Sequence, residues 1–105
     1  MTHRIANVRV ARSPLQRLVG LMGRKDLAGA FLLIPRCNSI HTCFMRGAID
    51  VAFLDDDESV VEIHPSVRPW RFVVARKGNS VLELPPGHLA GIGAKIGDKV
   101  ECLQN

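Results

Sequence analysis

Residues 37–55 read CNSIHTCFMRGAIDVAFLD, and the fold turns on how this stretch pairs. Gly47-Ala48 in its middle suits a two-residue turn, with the glycine supplying positive φ. An antiparallel hairpin over residues 39–54 then sets Met45 opposite Asp50, Cys43 opposite Ala52 and His41 opposite Leu54. One face (Ile40, Phe44, Ile49, Val51, Phe53) becomes apolar core. The other (Ser39, His41, Cys43, Met45, Asp50, Ala52) is small and polar, and a slip of one residue would exchange the two.

Toward the N-terminus, Ile5 to Ala11 alternates as a strand with one wet face. Ser13-Pro14 opens a short helix, with Ser as N-cap and Pro at the first helical position. Leu15, Leu18, Val19 and Met22 form its apolar stripe, and Ala30 to Ile34 is a strand stopped by Pro35. Toward the C-terminus, the acidic turn Asp55-Asp56-Asp57-Glu58 leads into a strand from Val60 to Ile63, and Pro65 and Pro69 break the chain. Phe72 to Ala75, Ser80 to Leu84 and Lys99 to Leu103 read as further strands. His88 to Ile92 reads as a helical turn and Gly97-Asp98 as a tight turn. Many short strands and one early helix predict a mainly β fold, a small jelly-roll-like sandwich or barrel with one short N-terminal helix.

A chain of 105 residues supports one core, so residues 1–105 are expected to form a single domain. No apolar run approaches the roughly 20 residues that a transmembrane helix needs. No signal peptide is visible at the start, and the odd count of three cysteines fits a reducing compartment. The expected location is cytoplasmic, although an exported form with its signal removed would read the same. The net charge is +4, with seven basic groups against Asp26 alone in residues 1–36 and seven against nine acidic in residues 37–105. A basic patch attracts anions. Four Phe, one Trp and no Tyr are few aromatics for a single-strand binder, so nucleic acid is disfavoured as a partner.

The candidate chemistry gathers around His41. On an extended strand the Cα atoms of Cys37 and His41 lie roughly 13 Å apart, whereas Cys43 shares a face with His41 at about 6.6–6.8 Å. A Cys43–His41–Asp50 constellation would supply nucleophile, base and orienting carboxylate. Cys37, His41 and Cys43 are also ligand types for zinc, but their spacing matches no common site, and His64 or His88 would have to complete the set. No metal site and no cofactor is assigned. Arg46 either pairs with Asp50 across the turn or presents its planar fork to an anion. Trp70, between Arg68 and Arg71, is a stacking platform or a lid on the barrel. Glu83 is either edge-exposed or turned into a pocket.

Several segments together resemble one family: Arg17-Leu-Val-Gly-Leu-Met-Gly-Arg24, Ser39-Ile-His-Thr42, Met45-Arg46, Ile49-Asp-Val-Ala-Phe-Leu-Asp55, Pro69-Trp-Arg71, Val81-Leu-Glu-Leu-Pro85 and Gly97-Asp98. In this order the chain is similar to domain of unknown function family 192. The resemblance implies a compact, mostly β, jelly-roll-like single domain and no particular activity. The family pattern has an aromatic residue or Gly near position 43 and Phe-Pro at 47–48, where this chain has Cys43 and Gly47-Ala48. Position 37 is also not always Cys in that pattern. Both differences count against a mechanism that needs either thiol.

The expected function is therefore a non-catalytic binding or accessory module for a small polar or anionic ligand or a protein segment. Its expected ligand-binding residues are Ser39, His41, Thr42, Arg46, Asp50, Trp70, Arg71 and Glu83. The alternative is a thiol- or metal-dependent enzyme using His41 with Cys43 or Cys37.

Overall fold

Thr2–Val10 forms strand β1, which begins earlier than the expected Ile5. His3 and Ile5 point inward at a period of two; a bulge at Asn7, whose φ is 60°, then shifts the register so that Val8 points inward as well. The remaining strands are β2 (Leu32–Pro35), β3 (Ser39–His41), β4 (Ile49–Leu54), β5 (Val60–Val67), β6 (Phe72–Val74), β7 (Ser80–Leu84) and β8 (Lys99–Gln104). A single helical turn, α1 (His88–Gly91), precedes β8. The computed structural model describes residues 1–13 and 31–104, so the expected helix through Leu15, Leu18, Val19 and Met22 lies outside the described residues.

Six strands make one sheet in the order β5-β4-β7-β2-β1-β8. β1 runs parallel to β2 and β8, and the other pairs are antiparallel. The sheet curls until its two outer strands meet. Ser59 bridges Lys99, the Val60 amide donates to the Asp98 carbonyl at 2.8 Å, and the Val100 amide donates to the Glu58 carbonyl at 2.9 Å. Curling shelters edges that would otherwise offer unpaired amides to other chains. The chain is thus mainly β, a curled half-barrel with one short helix among the described residues. Among the described residues, no helix is long and apolar enough to cross a membrane.

Two apolar layers follow from the alternation of side chains. Ile5, Val8, Leu54, Leu82, Leu84 and Val100 fill the inside of the curl, joined by Leu89 of α1. Leu32, Ile34, Ile49, Val51, Phe53 and Val81 cover its outside. All six residues of β4 are buried, because both of its faces are covered.

The hairpin expected over residues 39–54 does not form. β4 pairs with β5 on one edge and β7 on the other, which leaves no edge for β3. Residues 39–41 leave the main sheet and pair with β6 instead, Ser39 with Val74, Ile40 with Val73 and His41 with Phe72. The intervening backbone turns at Phe44, whose φ is 66°, and Gly47 does not take positive φ. β5 also runs four residues beyond the expected Ile63, straight through Pro65. Proline is tolerated there because β5 is an outer strand with a shifted register, and Ser66, at φ 49°, marks the irregularity.

A charged clasp sits where the outer strands meet. The buried His3 ring places Nε2 2.8 Å from Asp98 Oδ2, and the Lys95 amide donates to the same oxygen at 3.0 Å. These hydrogen bonds, His3 foremost, hold the Asp98 carboxyl down from 3.8 to about 2. The folded state therefore stays ionised where the unfolded chain takes up a proton. The stabilisation is complete above pH 3.8 and disappears as pH falls through about 2. Asp98→Asn should lower the melting temperature at neutral pH and flatten its fall over this acid window. A variant that melts along the wild-type acid profile would show that the clasp contributes nothing.

Candidate functional site

Ile40 and Val73 turn inward onto the outer apolar layer, so the alternate residues Ser39, His41, Phe72 and Val74 face away from it. The small β3–β6 sheet packs one face on the main sheet, and no described residue covers the other. The loops at its end are joined by one side chain. Thr42 is fully buried, its amide donates to the Arg71 carbonyl at 2.9 Å, and its Oγ1 donates to the Arg68 carbonyl at 2.6 Å. The same Oγ1 accepts from the Arg71 amide at 2.8 Å, while the Thr42 carbonyl accepts from the amides of Trp70 and Met45.

This stitching displays apolar side chains on the surface. Phe72 is 79% exposed, Val74 63%, Phe44 60% and Trp70 57%. The Phe44 and Trp70 rings meet with centroids 4.7 Å apart, and His41 lies 6.3 Å from Phe72. Phe44 and Trp70 both have left-handed backbones, with φ of 66° and 65°. A residue with a Cβ in that conformation costs roughly 1–2 kcal/mol.

The charge in the segments that carry these residues has one sign. Segments 36–49 and 63–79 hold six cations (Arg36, Arg46, Arg68, Arg71, Arg76, Lys77) and not one Asp or Glu. Arg46, Arg68 and Arg71 are exposed. The Arg71 guanidinium reaches only the Trp70 carbonyl, at 3.5 Å. None of the three pairs with a carboxylate among the described residues.

Of the residues that the sequence singles out, Ser39, His41, Arg46, Trp70 and Arg71 come together on the small sheet and its loops, with Thr42 beneath them as the tie. Asp50 does not join them. It is fully buried, and its two oxygens accept from the Ser66 amide at 2.9 Å and the Leu89 amide at 3.0 Å, tying β5 to α1. Neither the Arg46–Asp50 pair nor the Cys43–His41–Asp50 constellation is therefore assembled. His41 Nδ1 accepts the Cys43 amide at 3.2 Å, so the neutral ring carries its proton on Nε2. The Cys37 thiol donates to the Ser39 carbonyl at 2.9 Å.

His64 is bonded to Glu62 at 2.7 Å, and the His88 ring packs on Phe31. Among the described residues, no three His, Cys, Asp or Glu side chains converge as a metal site would require. Glu83 is 2% exposed on the outer face of β7, in the cross-strand row Leu32–Glu83–Val51–His64, and its Oε1 has no hydrogen-bond partner.

Phe44, expected in the apolar core, is exposed because the hairpin that would bury it does not form, and Arg68, Phe72 and Val74 were not among the expected ligand-binding residues. Their signal was present as two separate stretches of cations and apolar residues lacking any carboxylate. A cavity of about 390 Å³ lies elsewhere, between Leu33, Leu54, Val100 and Cys102 under a rim that includes Arg36, Asp55, Asp56 and Glu58. Burial, with Glu58 nearby, pushes the Cys102 thiol up to about 11.

A family model described as Uncharacterized ACR, domain of unknown function family 192 (DUF192), matches residues 1–102. The chain belongs to DUF192. This DUF192 chain is 36% identical over 99 residues to a UPF0127 protein of Pyrococcus furiosus, covering 90% of the chain and 84% of that protein. It is 35% identical over 99 residues to a UPF0127 protein of Pyrococcus horikoshii, covering 90% and 85%. The crystal structure of a protein of unknown function from Novosphingobium aromaticivorans superposes with a TM-score of 0.78 at 25% identity, covering 88% of the DUF192 chain and 71% of its own.

Two outcomes follow from the buried polar groups. Thr42→Val keeps the shape but strands the Arg71 amide and the Arg68 carbonyl. It should cost about 1–3 kcal/mol in urea denaturation and speed amide exchange at Trp70 and Arg71. A silent substitution would mean that the loops are held by something else. Burial raises the Glu83 carboxyl from 4.5 to about 7. Across that window the unfolded chain has lost a proton that the folded chain keeps. Stability should therefore fall by about 3 kcal/mol as pH rises through it, then level off. Glu83→Gln should abolish the fall, which denaturation on either side of the window would reveal.

Proposed function

We propose that this DUF192 protein is a non-catalytic binding module that docks an anionic partner on the outer face of its small sheet. Phe44, Trp70, Phe72 and Val74 make the apolar contact, and Arg46, Arg68 and Arg71 supply the charge. The observation that carries this reading is the coincidence of four exposed apolar side chains with cations that no carboxylate neutralises. Two of those side chains are held at a strained backbone angle, a state that persists only where the surroundings enforce it and that clusters at functional surfaces.

The shape argues for an extended partner rather than a small ligand. Small-molecule sites are concave, and the cavity described lies apart from Phe44, Trp70 and Phe72, with Asp55, Asp56 and Glu58 outnumbering Arg36 at its rim. An acidic rim repels the anions that the small sheet attracts.

Heparin serves as a polyanionic probe. A variant with Arg46, Arg68 and Arg71 changed to Ala should elute from a heparin column at much lower salt than one with Arg9, Lys95 and Lys99 changed to Ala. The two carry the same net charge. The salt dependence of binding should lose about two to three in its logarithmic slope only in the first. Equal elution of both would mean that the interaction follows net charge alone, and the reading would fail.

A further inference from the structure

We infer that the anionic partner is the surface of a lipid bilayer, which the small sheet meets with its outer face; this rests on the docking face proposed above. An acidic polymer satisfies only the arginines. It gives no return for burying Phe72 and Val74, the two most exposed of the four apolar residues. These two alternate with the inward-facing Val73 on one three-residue strand, so they project together from the same side. A bilayer interface accommodates every component at once. Phenylalanine and valine tips enter the acyl boundary, Trp70 takes the headgroup level that tryptophan favours, and the guanidiniums meet lipid phosphates.

The charge distribution matches such a surface. Arg46, Arg68 and Arg71 lie on the loops tied together by Thr42 at the end of the small sheet, in segments that hold no Asp or Glu to be repelled, whereas Arg36 lines the cavity beside Asp55, Asp56 and Glu58. Basic residues at a membrane surface act additively on affinity for anionic lipid and are screened by salt. The acidic groups Asp55, Asp56, Asp57 and Glu58 lie on the turn between β4 and β5, at the far end of β4 from the Phe44 loop. The protein can therefore face the bilayer with its small sheet and keep its acidic turn in water.

Trp70 is the only tryptophan, so its emission reports on this face alone. With phosphatidylcholine vesicles containing phosphatidylglycerol, the emission should shift to the blue and the protein should co-sediment, both weakening with salt. Vesicles of phosphatidylcholine alone should do neither. A Phe72→Ser, Val74→Ser double variant, altered only at outward-facing positions and checked for folding by its thermal melt, should bind anionic vesicles at least about tenfold more weakly, and undiminished vesicle binding would overturn the bilayer. Heparin binding without vesicle binding would overturn the bilayer and leave the anionic docking face standing. Tighter binding to a single-stranded oligonucleotide, with Trp70 quenched by stacking, would overturn it in favour of nucleic acid. Loss of both heparin and vesicle binding would remove the docking face itself.

Discussion

A strand has two edges, and those of β4 are taken by β5 and β7. Everything that distinguishes the surface of this molecule follows from that occupancy. The chain arriving at Ile49 cannot have come along β4's own edge, so residues 37–48 are displaced from the main sheet. They carry apolar side chains of their own, and Ile40 and Met45 bury these against Ile49, Val51 and Phe53 on the outer layer. Their backbone groups still need partners. β6 supplies those partners, and a second, smaller sheet results. Three residues in each strand are enough to seal the layer beneath, but nothing in the described chain covers the layer above.

How much of this could be read from the sequence depended on whether the deciding contact was local. Ser80–Leu84 is a strand over the residues its alternation marks, and Ile49–Leu54 reads as a strand by the same logic. Pairing is another matter. Gly47-Ala48 looked like a hairpin turn because glycine tolerates positive φ, yet it is Phe44 that takes the left-handed backbone. The residue least suited by local preference turns the chain, since Thr42 forces the geometry through contacts some 26 to 29 residues away. A long-range hydrogen bond leaves no trace in local periodicity.

Two acidic residues on adjacent strands show how the same alternation leads to opposite outcomes. Asp50 faces the inside of the curl, where the amides of Ser66 and Leu89 meet its two oxygens. A carboxylate so placed acts as a structural tie between segments far apart in sequence. Glu83, one position out of phase on β7, faces the outer layer, where its neighbours across the sheet are Leu32 and Val51. With Oε1 unpartnered among the described residues, burial favours the neutral acid. Asp50 and Glu83 were both expected beside His41 and Arg46. The strand parity that removes Asp50 from that face places Glu83 beneath the layer, with neither reaching the surface.

The strain at Phe44 and Trp70 bears on why that surface has the residues it does. If the loops needed only to close the ends of β3 and β6, a residue without a Cβ would do so at no backbone cost. Packing does not explain the choice, because both rings remain more than half exposed even in contact with each other. Solubility does not explain it either, since exposed aromatic pairs invite association. The fold instead spends stability to hold two large rings outward, beside arginines that no carboxylate neutralises. Thr42 makes that possible: its carbonyl receives the Trp70 amide, and also the amide of Met45, the residue after Phe44. One buried threonine thus ties both left-handed turns to the scaffold and sets the direction in which the aromatic side chains leave it.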